Sequence, residues 1–219
     1  MVSRPKQAEP RPAPRLYLVT PPVADAQAFS SVLTAAMAAG DVAAVLLRLA
    51  EADERTQINR AKALGPIVQD KDAALLLGGH ADLAARAGAD GAHLSGIAAF
   101  TAALEQLKPE RIAGVGHLTT RHDAMAAAEA GADYVMFGEP DDAGERPSFE
   151  AIEERIAWWA EVFEAPCVGY AASLGEIAPQ VTAGADFIAL GDWLWRDPQT
   201  VATTITRAAE QLRTPESTA

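Results

Sequence analysis

The feature of this sequence that most restricts its fold is a phrase that occurs three times, each time where a predicted helix runs into a predicted strand. The copies are AGADGAHL from Ala87, AGADYVMFG from Ala130 and AGADFIALG from Ala183. The glycine in each copy can adopt the left-handed conformation that ends a helix, and the Ala-Asp pair after it leads into the next strand. A repeated helix–turn–strand connection predicts a chain assembled from βα units.

Short apolar runs alternate with alanine-rich segments of helical period along most of the chain. Strands are predicted at residues 15–20, 43–48, 73–77, 91–94, 112–116, 134–138, 166–170 and 187–191, and helices at about 24–39, 53–70, 80–88, 96–107, 121–130, 148–164, 173–183 and 197–213. Eight units of about 25 residues fit a compact (β/α)8 barrel. A doubly wound open sheet is the alternative, but the pattern does not change midway and contains no dinucleotide fingerprint.

The predicted fold is therefore α/β, a single (β/α)8 TIM barrel over residues 15–213. Residues 1–14 are rich in proline and arginine, and we expect them to form a disordered arm. Residues 214–219 are expected to form a disordered tail.

Composition restricts the partners that such a chain can have. Eighteen Lys and Arg against thirty Asp and Glu give a net charge of −12, which argues against a nucleic-acid or anionic-membrane partner. The single cysteine, Cys167, excludes an intrachain disulfide framework and a cysteine-rich metal site. No apolar run approaches the roughly 18 residues of a membrane span, and the start lacks the apolar core of a signal peptide. We expect a cytoplasmic protein.

Barrel enzymes carry their chemistry at the C-terminal ends of the strands, and three of the four histidines fall there: His80, His93 and His117. With Glu139 or Asp192 they have the residue types of a zinc or iron site. No local ligand motif supports this interpretation, and loop histidines also serve as helix caps. Strand register decides whether the three converge.

The loops after the last two predicted strands are small enough to let an anion approach the backbone. They contain Ala171, Ala172 and Ser173 in one loop and Gly191 in the other. Barrels often hold phosphate at this place, but Asp192 lies beside it and would repel an anion. Simple tight turns explain the small residues equally well.

Five segments together resemble the thiamine phosphate synthase and TenI family. They are RLYLVT at 15–20, AAVLLR at 43–48, ADLAARAGADGAHLS at 81–95, IAGVG at 112–116 and GADYVMFG at 131–138. The resemblance implies a (β/α)8 fold and a role in thiamine biosynthesis. The synthase joins a pyrimidine methyl diphosphate to a thiazole phosphate and releases pyrophosphate, with Mg²⁺ as cofactor, whereas TenI relatives tautomerise a thiazole phosphate.

Most of the catalytic residues that this resemblance implies are replaced. Only Arg48 remains of the family's Gln-x-Arg-x-Lys pattern, and an acidic stretch at 139–145 stands where a Thr-x-Thr-Lys loop is expected. Gly78 and Gly79 stand in place of an Asn-Asp pair, and Gly116 and Gly191 stand in place of serines. Ala171-Ala172 replaces a double-glycine phosphate turn, and the metal-binding acid of the family falls at or near Ala98. Each lost electrostatic donor can cost about 10²–10³ in rate, so this divergent member is expected to have weak or lost synthase activity.

The sequence thus predicts a divergent member of this family that binds a small phosphorylated heterocycle at the barrel mouth. The expected catalytic residues are His93 and His117; the expected substrate- and phosphate-binding residues are Arg48, Gly116, Gly138, Ala171, Ala172 and Gly191. No metal ligands are assigned, and Mg²⁺ is expected only if synthase activity is retained. A non-catalytic binding or scaffold barrel and a re-purposed histidine enzyme, tautomerase-like or metal-dependent, are the alternatives. Barrels of this kind commonly pair, which leaves a homodimer as an open alternative.

Overall fold

Eight parallel strands close into a barrel in the computed structural model, which describes residues 12–141 and 143–213. The strands are β1 (Arg15–Val19), β2 (Val42–Leu47), β3 (Ala74–Gly78), β4 (Gly91–Ser95), β5 (Ile112–Gly116), β6 (Tyr134–Phe137), β7 (Cys167–Ala171) and β8 (Phe187–Leu190). Each strand pairs with the next in chain order, and β8 pairs with β1. The predicted (β/α)8 barrel is confirmed.

A helix follows each strand on the outside of the barrel. The helices are α1 (Ala26–Ala38), α2 (Glu54–Gln69), α3 (Ala81–Ala87), α4 (Gly96–Leu107), α5 (Arg121–Glu129), α6 (Phe149–Val162), α7 (Ile177–Ala183) and α8 (Val201–Gln211), with short 3₁₀ turns at Leu174–Glu176 and Asp192–Trp195. None of the helices within the described ranges is long and apolar enough to cross a membrane.

Two of the predicted helices begin later than their sequence pattern indicated. The segment predicted from residue 173 opens with the 3₁₀ turn before α7 forms, and the segment predicted from residue 197 becomes α8 only at Val201. In the second case the Asp197 carboxylate accepts a hydrogen bond from the Gln199 N–H at 3.0 Å, and this side-chain turn competes with the first helical turn. The predicted arm and tail lie outside the described residues, apart from positions 12–14.

The packing has two layers, as the alternation of side chains along a strand requires. One apolar cluster lies between the sheet and the helices and includes the fully buried Trp159 of α6, which packs against Phe137. The other fills the inside of the barrel and contains Tyr17, Val19, Ala44, Leu46, Leu76, Tyr134, Met136, Val168, Tyr170 and Ala189. Inward-facing side chains of neighbouring strands therefore meet on the barrel axis.

The recurring Ala-Gly-Ala-Asp phrase ends three helices as predicted. Gly88, Gly131 and Gly184 have φ angles of 73°, 96° and 102°, in the left-handed region that favours glycine. The chain then enters β4, β6 and β8 respectively.

The aspartate of each phrase has a second function, which is to fix the preceding strand. One carboxylate oxygen accepts a hydrogen bond from a backbone N–H in the first residues of that strand, at 2.7–2.8 Å. The pairs are Asp90 with Leu75 of β3, Asp133 with Ala113 of β5, and Asp186 with Cys167 of β7. The repeat therefore joins successive strands at the N-terminal end of the barrel.

We expect Asp186→Ala to lower the free energy of unfolding by roughly 1–3 kcal/mol, because it leaves the N–H of Cys167 without its charged acceptor. Urea unfolding at neutral pH measures this. Asp70→Ala is the matched control, since Asp70 is exposed, and its change is expected to stay within about 0.5 kcal/mol. Equal effects of both substitutions would contradict the joining role.

Candidate active site

The C-terminal mouth of the barrel is filled by side chains that reach across from neighbouring strands. A Cβ added to Gly116 would overlap the carboxylate of Glu139, and a Cβ added to Gly191 would overlap the hydroxyl of Tyr170. Both glycines were predicted to bind phosphate. In the structure they make room for a carboxylate and a phenol of the protein itself.

Glu139 occupies the centre of the site. It follows β6 through Gly138, whose φ of 91° turns the chain, and its side chain is only 9% exposed. Its Oε1 lies 2.9 Å from Nε2 of His93, an inward-facing residue of β4 that is 6% exposed. Glu139 and His93 thus form a buried acid–imidazole pair.

His117 contacts the same carboxylate from the other side. Its backbone N–H donates to Glu139 Oε2 at 3.0 Å, and its Nδ1 lies 3.8 Å from Oε1. Its Nε2–H donates to the carbonyl of Pro140 at 2.9 Å. The φ of His117 is +50°, which is uncommon for a residue other than glycine and concentrates at functional sites.

These contacts keep Glu139 ionised despite its burial. Burial alone would raise the pKa of this carboxyl group, but the charges and hydrogen bonds of His93 and His117 hold it below its ordinary value of 4.5. The protein therefore holds a buried negative charge at the barrel mouth near neutral pH.

Two tyrosines extend the chain of hydrogen bonds into the barrel. Tyr134 Oη lies 3.0 Å from His93 Nδ1 and 2.7 Å from Tyr17 Oη. Burial raises the pKa of both hydroxyls, so both keep their protons. The ionised Glu139 accepts from His93 Nε2–H, and the hydroxyls of Tyr134 and Tyr17 continue the hydrogen-bond chain from His93 Nδ1.

Arg48, the predicted anion contact, lies at the mouth and is already paired. Its Nη2 contacts a carboxylate oxygen of Asp192, and its Nε donates to the carbonyl of Thr20. Its side chain is 33% exposed and that of Asp192 is 53% exposed. A ligand anion would have to displace Asp192 from Arg48.

In the turn after β7, a carboxylate of the protein likewise holds the hydrogen-bond donors. The backbone N–H of Ala172 donates to Glu176 Oε2 at 2.8 Å, and Arg146 Nη1 lies 2.9 Å from the same oxygen. Ala171 contributes its carbonyl, which accepts from Trp193 Nε1 at 2.7 Å. The backbone donor of the predicted phosphate turn is therefore held by a carboxylate of the protein.

A cavity of about 430 Å³ opens beside the mouth, between α6 and the loops after β5 and β6. Its lining includes His117, Gly138, Glu139, Arg146 and Arg155. This volume is within the range of small-molecule sites. A ligand entering it would contact His117 and Glu139 directly, whereas His93 lies behind Glu139.

The structure brings together two of the three mouth histidines. His93 and His117 meet at Glu139, but His80 lies at the start of α3 and has no hydrogen bond or ion pair with either in the described parts of the chain. Among the described residues there is no group of three or more His, Cys, Asp or Glu side chains that could hold a metal ion. The alternative of a histidine metal centre has no support in this arrangement.

The positions that the resemblance assigns to Mg²⁺ also do not fit that ion. Mg²⁺ requires oxygen ligands, and those positions hold Gly79, in the loop after β3, and Ala98, in α4. The Glu139 carboxylate, which lies nearby in the mouth, is committed to His93 and His117.

Sequence reasoning missed the roles of Tyr134, Tyr17, Tyr170, Arg146 and Glu176. Each acts through a partner distant in sequence or through a gap left by a glycine, as Tyr170 does at Gly191. The available signal was indirect, since an unusual number of glycines at strand ends implies that other side chains fill the mouth.

The lowered pKa of Glu139 predicts how its contribution to stability depends on pH. The folded state favours the ionised form, so this contribution is fully present above the ordinary pKa and is lost as pH falls through the lowered folded-state pKa. Relative to the unsubstituted protein, we expect Glu139→Gln to lower the free energy of unfolding by roughly 1–3 kcal/mol near neutral pH. This difference should shrink steadily below about pH 4.

Urea unfolding over a pH series checks this prediction, with Glu145→Gln as an exposed control in the same loop. A difference that persists unchanged at about pH 3 would show that the fold does not select the ionised carboxylate.

The comparisons with known proteins agree with this architecture. The profile of the family described as thiamine monophosphate synthase matches residues 16–193. A thiamine-phosphate synthase of Rhodospirillum centenum is 43% identical over 187 residues, covering 84% of this chain and 90% of the relative. One of Hyphomonas neptunium is 37% identical over 197 residues, covering 86% and 89% respectively.

A solved structure supports the fold independently. Thiamine phosphate pyrophosphorylase from Pyrococcus furiosus superposes with a TM-score of 0.74 at 20% identity, over 90% of this chain and 95% of that one. The family profile covers most of the chain, and the two relatives named above both exceed 30% identity over more than four fifths of it. The chain belongs to the thiamine monophosphate synthase family.

Proposed function

We propose that this barrel binds a small heterocycle with at most one phosphate and transfers a proton on it, and that coupling of pyrimidine methyl diphosphate to thiazole phosphate is weak or lost. The observation that carries the proposal is the pairing of the mouth's donors with carboxylates of the protein itself. Glu139, Glu176 and Asp192 hold donors that a substrate anion could otherwise use.

A diphosphate would meet strong repulsion in this mouth. Two unit charges about 4 Å apart interact by roughly 4 kcal/mol at an effective dielectric constant near 20. A diphosphate carries several negative charges, and both Arg48 and Arg146 are already neutralised by carboxylates. A single phosphate is tolerated more easily, because it needs only the exposed Arg48–Asp192 pair to open.

The proton-transfer group that a ligand can reach is His117. Its Nε2–H is fixed on the Pro140 carbonyl, which leaves Nδ1 as the ring nitrogen that takes a proton from the ligand. The resulting imidazolium would lie 3.8 Å from the ionised Glu139, which stabilises it. A positioned histidine of this kind contributes about 10²–10⁴ in rate.

His93, predicted from sequence as a catalytic residue, has a different role in this proposal. Both of its ring nitrogens are hydrogen-bonded within the protein, to Glu139 and to Tyr134. It holds the Glu139 carboxylate ionised and in place against His117, so it acts as a positioning residue.

The relatives named thiamine-phosphate synthase support a ligand of thiamine biosynthesis. A thiazole phosphate fits the proposal, since its tautomerisation needs one acid–base group and one phosphate contact. That reaction needs neither a diphosphate subsite nor a metal that neutralises one.

Two assays run in parallel test the proposal. With pyrimidine methyl diphosphate, thiazole phosphate and Mg²⁺, we expect thiamine phosphate formation at least about 100-fold slower than an active synthase, in line with the lost donors. With thiazole phosphate alone in deuterated water, we expect NMR to show solvent-proton exchange that His117→Gln slows by about 10²–10⁴.

His122→Gln is the matched control for the exchange assay, because His122 is an exposed histidine of α5. Synthase turnover comparable to the active enzyme would overturn the proposal and restore ordinary synthase function. Absence of both reactions, with tight binding of thiazole phosphate, would favour a non-catalytic binding barrel.

The phosphate contact is tested separately at Arg48. We expect Arg48→Ala to abolish binding of inorganic phosphate, and Asp192→Asn to strengthen it roughly 3–10-fold by releasing the guanidinium and removing a negative charge. Isothermal titration calorimetry measures both, with Asp70→Asn as the control. Unchanged affinity in Arg48→Ala would remove Arg48 from the site.

A further inference from the structure

The barrel has a second cavity at the end opposite the mouth, where the strands begin. Its volume is about 300 Å³, and its lining includes Arg15, Ala74, Ile112 and Phe187, the first residues of β1, β3, β5 and β8. We refer to it as the basal cavity. It is separated from the mouth by the side chains packed inside the barrel.

Small side chains are the reason that this cavity exists. Barrel interiors are usually filled by layers of bulky branched residues, but β2 and β3 contribute Ala44 and Ala74 to the lining. The other contributors are largely apolar and include Leu76, Ile112 and Val168. The basal cavity therefore has the apolar lining of a small-molecule site.

The charged groups at the rim of the basal cavity are already paired. Arg15 contacts the carboxylate of Asp41 at 2.6 and 2.9 Å. Asp133 accepts from Lys108 Nζ at 2.5 Å and from the Ala113 N–H at 2.7 Å. With no charge left to pair, the lining favours a neutral ligand.

Tyr17 and Tyr134 also line the basal cavity, and they are its uncharged residues with a polar side-chain group. In the hydrogen-bond chain described above, His93 donates to Glu139, Tyr134 bonds to His93, and Tyr17 bonds to Tyr134 as the last member. A phenol oxygen has two lone pairs and one proton, so the Tyr17 oxygen keeps at least one lone pair with no donor among the described residues, whichever of the two hydroxyls donates. A ligand O–H or N–H that reaches this oxygen can therefore donate to it.

We propose that the basal cavity is a second ligand site, and that it takes a small neutral aromatic molecule whose single O–H or N–H donates to the Tyr17 hydroxyl oxygen. The apolar lining binds the ring, the paired rim excludes charged analogues, and the tyrosine distinguishes a donor-bearing ring from a plain hydrocarbon. This site is independent of the proton transfer proposed at the mouth.

The test compares phenol with toluene, which has nearly the same size and no donor, and with benzoate, which is charged. Two-dimensional NMR of the full chain at about pH 8 should show that phenol shifts amide signals at the starts of the strands, such as those of Ala44, Ala74 and Phe187. Toluene should bind at the same place but about 2–10-fold more weakly, the value of one neutral hydrogen bond. Benzoate should not bind.

Three changes to the chain make the result decisive. Ala74→Leu fills the cavity and should abolish binding of both rings, whereas Ala102→Leu, on the exposed face of α4, should leave it intact. Tyr17→Phe should bind toluene as before and lose the preference for phenol, so it tests the site even if Ala74→Leu folds poorly.

Three outcomes would overturn the proposal. They are no shift with saturating phenol, shifts confined to the mouth, or phenol binding that survives Ala74→Leu.

Discussion

The site depends on one buried negative charge, the carboxylate of Glu139. Burial disfavours a carboxylate, and this one is sustained by His93 at 2.9 Å, by the backbone N–H of His117 and by the space that Gly116 leaves for it. His117 adopts a left-handed backbone conformation to make its contact. The geometry of the mouth follows from where this charge lies.

In the mouth of this barrel, carboxylates of the protein occupy donors that an anionic ligand could otherwise use. Anion sites in barrels present backbone N–H groups and cations to a ligand. Here carboxylates of the protein hold several of these donors: Glu176 holds the Ala172 N–H and Arg146, and Asp192 holds Arg48. Arg155 instead donates to the carbonyl of Leu118. Fold and lineage are therefore preserved, while several donors of the mouth are paired within the protein.

Hydrogen bonds connect the two ends of the barrel. The ionised Glu139 orients His93, His93 orients Tyr134, and Tyr134 orients Tyr17 at the basal cavity. A buried network of this kind is stable because each of these groups has a partner of the right polarity.

The sequence by itself determined the closed barrel, its strands to within one or two residues, and the helix ends at Gly88, Gly131 and Gly184, because these rest on local periodicity and backbone conformation. It also placed Arg48, His93 and His117 at the correct end, since parallel strands all end there. Only the tertiary structure decided that Glu139 fills the gap at Gly116, that Asp192 neutralises Arg48 and that His80 stays apart from the other histidines. Those outcomes depend on strand register and on contacts between residues far apart in the chain, which no local pattern encodes.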